Sequence, residues 1–108
     1  MSQFPVFDHA HLKRFTDGDA ALEAELAGLL FTQADRCIGI MKSARDADDW
    51  SAAVHTLKGA ARGVGAIALS EACEQVETAA PAEWSKAAQS VERVSEDTKR
   101  VIKDTLKL

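Results

Sequence analysis

The sequence predicts an all-α fold: an antiparallel four-helix bundle with a short additional N-terminal helix. Three observations carry that prediction. Roughly a fifth of the residues are Ala, the strongest helix former, while β-branched and aromatic residues are sparse. Apolar residues recur at three- and four-residue steps in one-sided stripes, and no segment alternates as a strand does. Aspartates suited to capping a helix start stand at the head of the first three stripes, and Gly or Pro separates several of them.

A first helix is predicted over residues 8–16. Asp8 is a good N-cap, and Phe7 and Leu12 flank it as a hydrophobic staple. Leu12 and Phe15 form a short apolar stripe that Thr16-Asp17-Gly18 stops. Asp19 then caps a second helix over 19–44, with Leu22, Leu26, Leu29, Leu30, Gln33, Cys37, Ile40, Met41 and Ala44 as its stripe. Asp46-Ala47-Asp48-Asp49 interrupts the pattern and supplies both a cap and negative charge for a third helix over 48–64. Trp50, Val54, Leu57, Ala61 and Val64 make its bundle seam, and Gly65 suits a left-handed helix end. A fourth helix over 66–79 carries Ile67, Leu69, Cys73 and Val76, with Thr78 to Ala80 as the connection. Pro81 opens a fifth over 81–106, whose stripe is Trp84, Ala87, Ala88, Val91, Val94, Thr98, Val101 and Ile102. Short connections make neighbours antiparallel, within one domain over 1–108.

Composition narrows the function. The 108 residues are one small domain, with little room for a deep two-substrate cleft. A net charge of −4 argues against a nucleic-acid-binding module, which presents a basic face. No apolar run approaches the ~20 residues of a membrane span. Met1–Asp8 lacks the basic start and apolar core of a secretory leader, so none is expected. Cys37 and Cys73 lie on apolar stripes and read as core residues in a reducing, cytoplasmic setting. His9 and His11 point to different helix faces and read as surface residues, not as a metal pair. Trp50 and Trp84 are expected to pack over bundle ends. Glu71, Glu74 and Glu77 share one helix face, read as solvated. No Glu-x-x-His pair is present to build a di-metal site.

The third helix departs from what folding alone would choose. Val54, Leu57 and Ala61 face the core, whereas His55, Lys58, Gly59 and Arg62 fall together on an outer face. A mid-helix Gly lowers stability by ~1 kcal/mol relative to Ala. Helical side chains lean toward the N-terminus, so absence of a side chain at 59 uncovers the imidazole of His55. Neutral imidazole is a nucleophile at neutral pH, and flanking cations would neutralise a phosphoryl group in transit.

His55-Thr56-Leu57-Lys58-Gly59 is the HxxKG signature, and the chain resembles the histidine-containing phosphotransfer (HPt) domain of multistep two-component phosphorelays. The resemblance extends through Ala60-Ala61 to Val64-Gly65-Ala66. It also takes in Phe7-Asp8, Leu12, Gly18-Asp19, Leu22, Glu25-Leu26, Asp48-Asp49, Leu69 and Cys73, about residues 7 to 77. It implies that His55 accepts a phosphoryl group through Nε2 from the phospho-Asp of a receiver domain and passes it to the Asp of another. Lys58 would stabilise that group, Gly59 would let the receiver approach, and Arg62 is a candidate phosphate neighbour. Many relatives carry small polar residues after the glycine, where this chain has Ala60 and Ala61, with Arg62 the candidate replacement.

On this reading the chain is a phosphocarrier and not an autonomous enzyme. It has no cofactor or metal of its own, and the catalytic Asp and Mg²⁺ sit on the partner receiver. Expected partners are receiver domains of response regulators or hybrid histidine kinases; neither nucleic acid nor membrane is expected, and a monomer is. Two alternatives stand beside it: a non-catalytic helical interaction bundle, and a fragment of a histidine-kinase core.

Overall fold

The computed structural model describes residues 5–108, so half of the Met1–Asp8 segment read for a leader lies outside the described residues. The helices are α1 (His9–Thr16), α2 (Ala20–Ser43), α3 (Ala47–Val64), α4 (Ile67–Val76) and α5 (Trp84–Leu106). A 3-10 turn, Pro81–Glu83, leads into α5. Every regular element among the described residues is helical, and none of the helices is long and apolar enough to cross a membrane.

Local chemistry sets the helix starts. Asp8, Asp19 and Asp46 each stand in extended backbone and accept a hydrogen bond from the backbone N–H three residues on. α3 ends at Gly65, which has φ +90°. A Cβ at that position would sit 2.7 Å from the Asp8 carbonyl. Glycine is required there twice over, by the left-handed backbone and by the close approach of another chain segment. The Asp8 N–H donates to the Gly65 carbonyl at 2.8 Å, tying the entry of α1 to the α3–α4 turn.

α2 packs on α3, α3 on α4, α4 on α5, and α5 back on α2, closing a four-helix ring. Ion pairs show the directions. Lys42 pairs with Glu92 and Lys99 with Asp35, so α2 and α5 are antiparallel. Lys58 pairs with Glu77 and Arg62 with Glu74, and α3 and α4 are likewise antiparallel. The core is built on Leu12, Leu30, Met41, Trp50, Val54, Leu57, Leu69, Val91 and Ile102. At one end the indoles of Trp50 and Trp84 stack with centroids 5.1 Å apart and planes 4° from parallel. Their Nε1 groups donate to the carbonyls of Val76 and Ala79, both at 2.9 Å. These bonds satisfy acceptors at the end of α4 and in the connection after it.

Several expectations require correction. α4 stops at Val76, and the segment to Ala80 is not helical; α5 proper begins at Trp84 and not at Pro81. The buried line of α2 is Glu23, Ala27, Leu30, Ala34, Cys37, Ile38 and Met41. Leu22, Leu29 and Ile40, read as part of its inward stripe, are exposed, and so is Phe15 of α1. The reason is geometric. The inward face of α2 combines small Ala27 and Ala34 with Leu30, Ile38 and Met41, and Leu22, Leu29 and Ile40 lie on another face of the helix. His9 is not a free surface residue: its Nε2 lies 2.9 Å from Oε1 of the buried Glu23, and Thr16 donates to Oε2 at 3.0 Å. This cluster fastens α1 to α2.

Candidate functional site

The site is built on the middle of α3. Val54, Leu57 and Ala61 are fully buried, which fixes the helix's rotation and turns His55, Gly59 and Arg62 outward. The His55 side chain is 73% exposed. Gly59 lies one turn further along the same face. A Cβ there would meet nothing within 4 Å, so no contact inside the protein demands glycine at this position.

Lys58 takes a different course from the one the sequence suggested. Its side chain is only 15% exposed, and its ammonium donates to Glu77 Oε1 at 2.6 Å, at the C-terminal end of α4. The other oxygen, Oε2, lies 3.8 Å from His55 Nδ1. One carboxylate therefore joins the imidazole and the lysine. The Lys58 ammonium holds the Glu77 carboxyl below the usual carboxylate range against the opposing effect of partial burial, and the charges of His55 and Arg62 act in the same sense. Arg62 is turned toward Glu74 of α4 at 3.5 Å and is well exposed.

His55, Lys58, Gly59 and Arg62 thus share a region. Acidic residues read as a solvated face complete it, so the cations beside His55 are not free of negative charge. The signal was present in the sequence. Lys58 and Arg62, four residues apart on α3, face Glu77 and Glu74, three apart on α4, as an antiparallel pair allows. Recognising it required knowing which faces of the two helices meet.

On the opposite flank of His55, a groove of about 410 Å³ runs between α2 and α3, lined by Gln33, Arg36, Cys37, Ile40, Asp49, Ala52, Ala53 and Thr56. Leu22, Leu29 and Ile40 follow one line along α2, since seven and eleven residues are close to whole helical turns, and Ile40 lines the groove. Ion pairs bound the imidazole toward α4, and a groove lined by both polar and apolar side chains lies toward α2. Among the described residues no three His, Cys, Asp or Glu side chains gather as a metal site.

The middle of α3 thus presents an exposed histidine with a lysine and a glycine within about one helical turn of it. The profile of the Hpt domain matches residues 25–106, and the chain belongs to this family. Among solved structures, it is similar to the crystal structure of histidine phosphotransferase ShpA from Caulobacter crescentus. The two are 31% identical, with a TM-score of 0.72, over 94% of this chain and 90% of that one. Comparison with curated protein sequences gave no significant match.

Proposed function

We propose that the chain is a phosphorelay intermediate in which His55 carries the phosphoryl group between receiver domains. The observation that carries this reading is the solvent-open imidazole of His55 beside a glycine that the fold itself does not need. In the loading step Nε2 attacks the phosphorus of an aspartyl phosphate. The P–N bond forms as the P–O bond breaks, and the aspartyl carboxylate leaves with the bonding electrons. The ring is then substituted on both nitrogens and carries positive charge until Nδ1 gives up its proton. Unloading reverses these events on a second receiver.

Lys58 lies within one helical turn of His55 and can redirect its ammonium from Glu77 toward the phosphoryl oxygens. Arg62 stands one turn further away as a second cation. The incoming receiver supplies the aspartate and the Mg²⁺, so the chain acts as half of a shared active site and has no turnover of its own. Phe15, Leu22, Leu29 and Ile40, exposed on α1 and α2, offer a receiver apolar surface. A modest interface of this kind suits a carrier that must release both donor and acceptor. The reading also makes the protein a cytoplasmic monomer.

The direct test mixes the protein with a phosphorylated receiver domain and follows acid-labile phosphate on this chain. Wild-type protein is expected to load, and His55→Gln is expected to take up none. Full loading of His55→Gln would remove the assignment.

A further inference from the structure

We infer that Arg36 of α2 is a specificity-determining residue for receiver docking: its guanidinium has no carboxylate partner among the described residues and takes one from the face of the docked receiver. The inference rests on the reading of His55 as a carrier loaded by receiver domains, and it names the chemistry by which the chain selects among them.

Arg36 belongs to an outward stripe of α2. Leu22, Leu26, Leu29, Gln33, Arg36 and Ile40 recur at alternating steps of four and three, so they share one face of the helix. Leu22, Leu29, Arg36 and Ile40 are exposed, and Leu26 and Gln33 are partly so. Arg36 is the single charge in that stripe. With Gln33 and Ile40 it lines one side of a groove whose other side holds Ala52 and Thr56 of α3, the latter next to His55 in the chain. Arg36 thus stands across the groove from the helix that carries the imidazole.

The other cations around His55 are already paired. Lys58 is held by Glu77, and Arg62 by Glu74. Asp35, the carboxylate beside Arg36 in the chain, is bound to Lys99 of α5. Asp49, which also lines the groove, stands in the first turn of α3. Neither it nor any other carboxylate among the described residues forms an ion pair with Arg36. In a chain of net charge −4, a guanidinium without an internal partner is a local reversal of the field.

Docking makes that solitary charge decisive. A receiver that covers Leu29 and Ile40 removes water from the arginine between them. A desolvated cation with no acceptor is costly, whereas one that meets a carboxylate gains two parallel, charge-assisted hydrogen bonds. Guanidinium is more weakly hydrated than ammonium and matches the carboxylate fork, which suits it to an interface. The leucines and Ile40 attract any apolar face. Arg36 penalises a receiver that has no acidic side chain at the matching position. Selection then comes from association and release, not from the chemistry at His55.

The test measures loading of this chain by a panel of isolated receiver domains phosphorylated with acetyl phosphate. For the receiver that loads the wild type fastest, Arg36→Glu should lower kcat/KM about tenfold, through KM with kcat little changed, and Arg36→Ala should lower it less. Loading of the wild type should weaken as salt rises, and Arg36→Ala should flatten that dependence. Arg36→Ala should also narrow the spread of rates across the panel. On the fast receiver, replacing one acidic residue near its phosphorylation site by Lys should restore loading of Arg36→Glu while impairing that of the wild type. The inference is overturned if Arg36→Glu loads at the wild-type rate from every receiver, or if no such replacement restores it. It is overturned equally if Arg36→Glu slows loading from phosphoramidate to the same extent. That donor docks no protein and releases ammonia as its P–N bond breaks, so Arg36 would then act on the phosphoryl group or on the fold. Full loading of His55→Gln strikes instead at the carrier reading, so the two failures are distinguishable.

Discussion

Replacing Gly59 should separate stability from function. The position is mid-helix on α3, and a Cβ there meets no atom within 4 Å. Gly59→Ala therefore meets no clash and restores the helix propensity that glycine gives up, a gain of about 0.8–1 kcal/mol. For a domain of 108 residues the entropy of unfolding is ~0.23 kcal/mol/K, so Tm should rise by about 4 °C. Gly59→Leu should also fold, because its side chain enters open space, but that side chain leans back over His55. A receiver held even 1 Å out of place loses on the order of a hundredfold in transfer rate. Helical circular dichroism during a thermal melt reads the first quantity. The rate of phosphate appearance on this chain from a phosphorylated receiver reads the second. Gly63→Ala, equally open but two turns beyond His55, is the control: it should raise Tm while leaving transfer near the wild-type rate. Normal transfer by Gly59→Leu would refute the access argument, and a fall in Tm for Gly59→Ala would refute the propensity argument.

Two further outcomes follow from buried groups. Burial pushes the Cys73 thiol up to about 12. At pH 8 its thiolate is then on the order of one part in 10⁴, and the native protein should resist a thiol reagent at Cys73 that labels it readily once unfolded. Rapid labelling of Cys73 in folded protein would contradict the packing described. The hydrogen bond from His9 holds the Glu23 carboxyl below its ordinary value of 4.5, with Thr16 acting in the same direction. A depressed folded-state value stabilises above the ordinary value and is lost as pH falls through the lowered one. Melting temperatures measured downward from neutral pH should therefore drop below about pH 4.5 in wild type and drop less steeply in Glu23→Gln; parallel curves would exclude the cluster as a source of acid sensitivity.

Much of this architecture could be read directly from residue order. The aspartate caps at 8, 19 and 46 act through N–H groups three residues away, so their effect is local and visible in sequence. The seam of α3 was equally legible, since Trp50, Val54, Leu57, Ala61 and Val64 are all buried. α2 was harder. Its apolar residues cover more than one face, and periodicity alone cannot choose between a face lined by Leu22, Leu29 and Ile40 and one lined by Ala27, Leu30 and Ala34. Packing chose the second, and Leu22, Leu29 and Ile40 were left exposed. The buried Glu23 was hidden for a related reason: a carboxylate enters a core only with partners, and His9 and Thr16 reach it from another helix.

The sequence by itself determined the helical class, the caps and the outer face of α3 that carries His55, Lys58, Gly59 and Arg62. Each follows from interactions among residues within a few positions of one another. Tertiary structure alone decided what surrounds that histidine. Glu77 lies 22 residues from His55 in the chain, yet the antiparallel pairing of α3 and α4 brings its carboxylate to 3.8 Å from Nδ1. It also draws Lys58 partly out of solvent. Such placements depend on how two helices are rotated against each other, and that rotation is set by the whole core, not by any one segment.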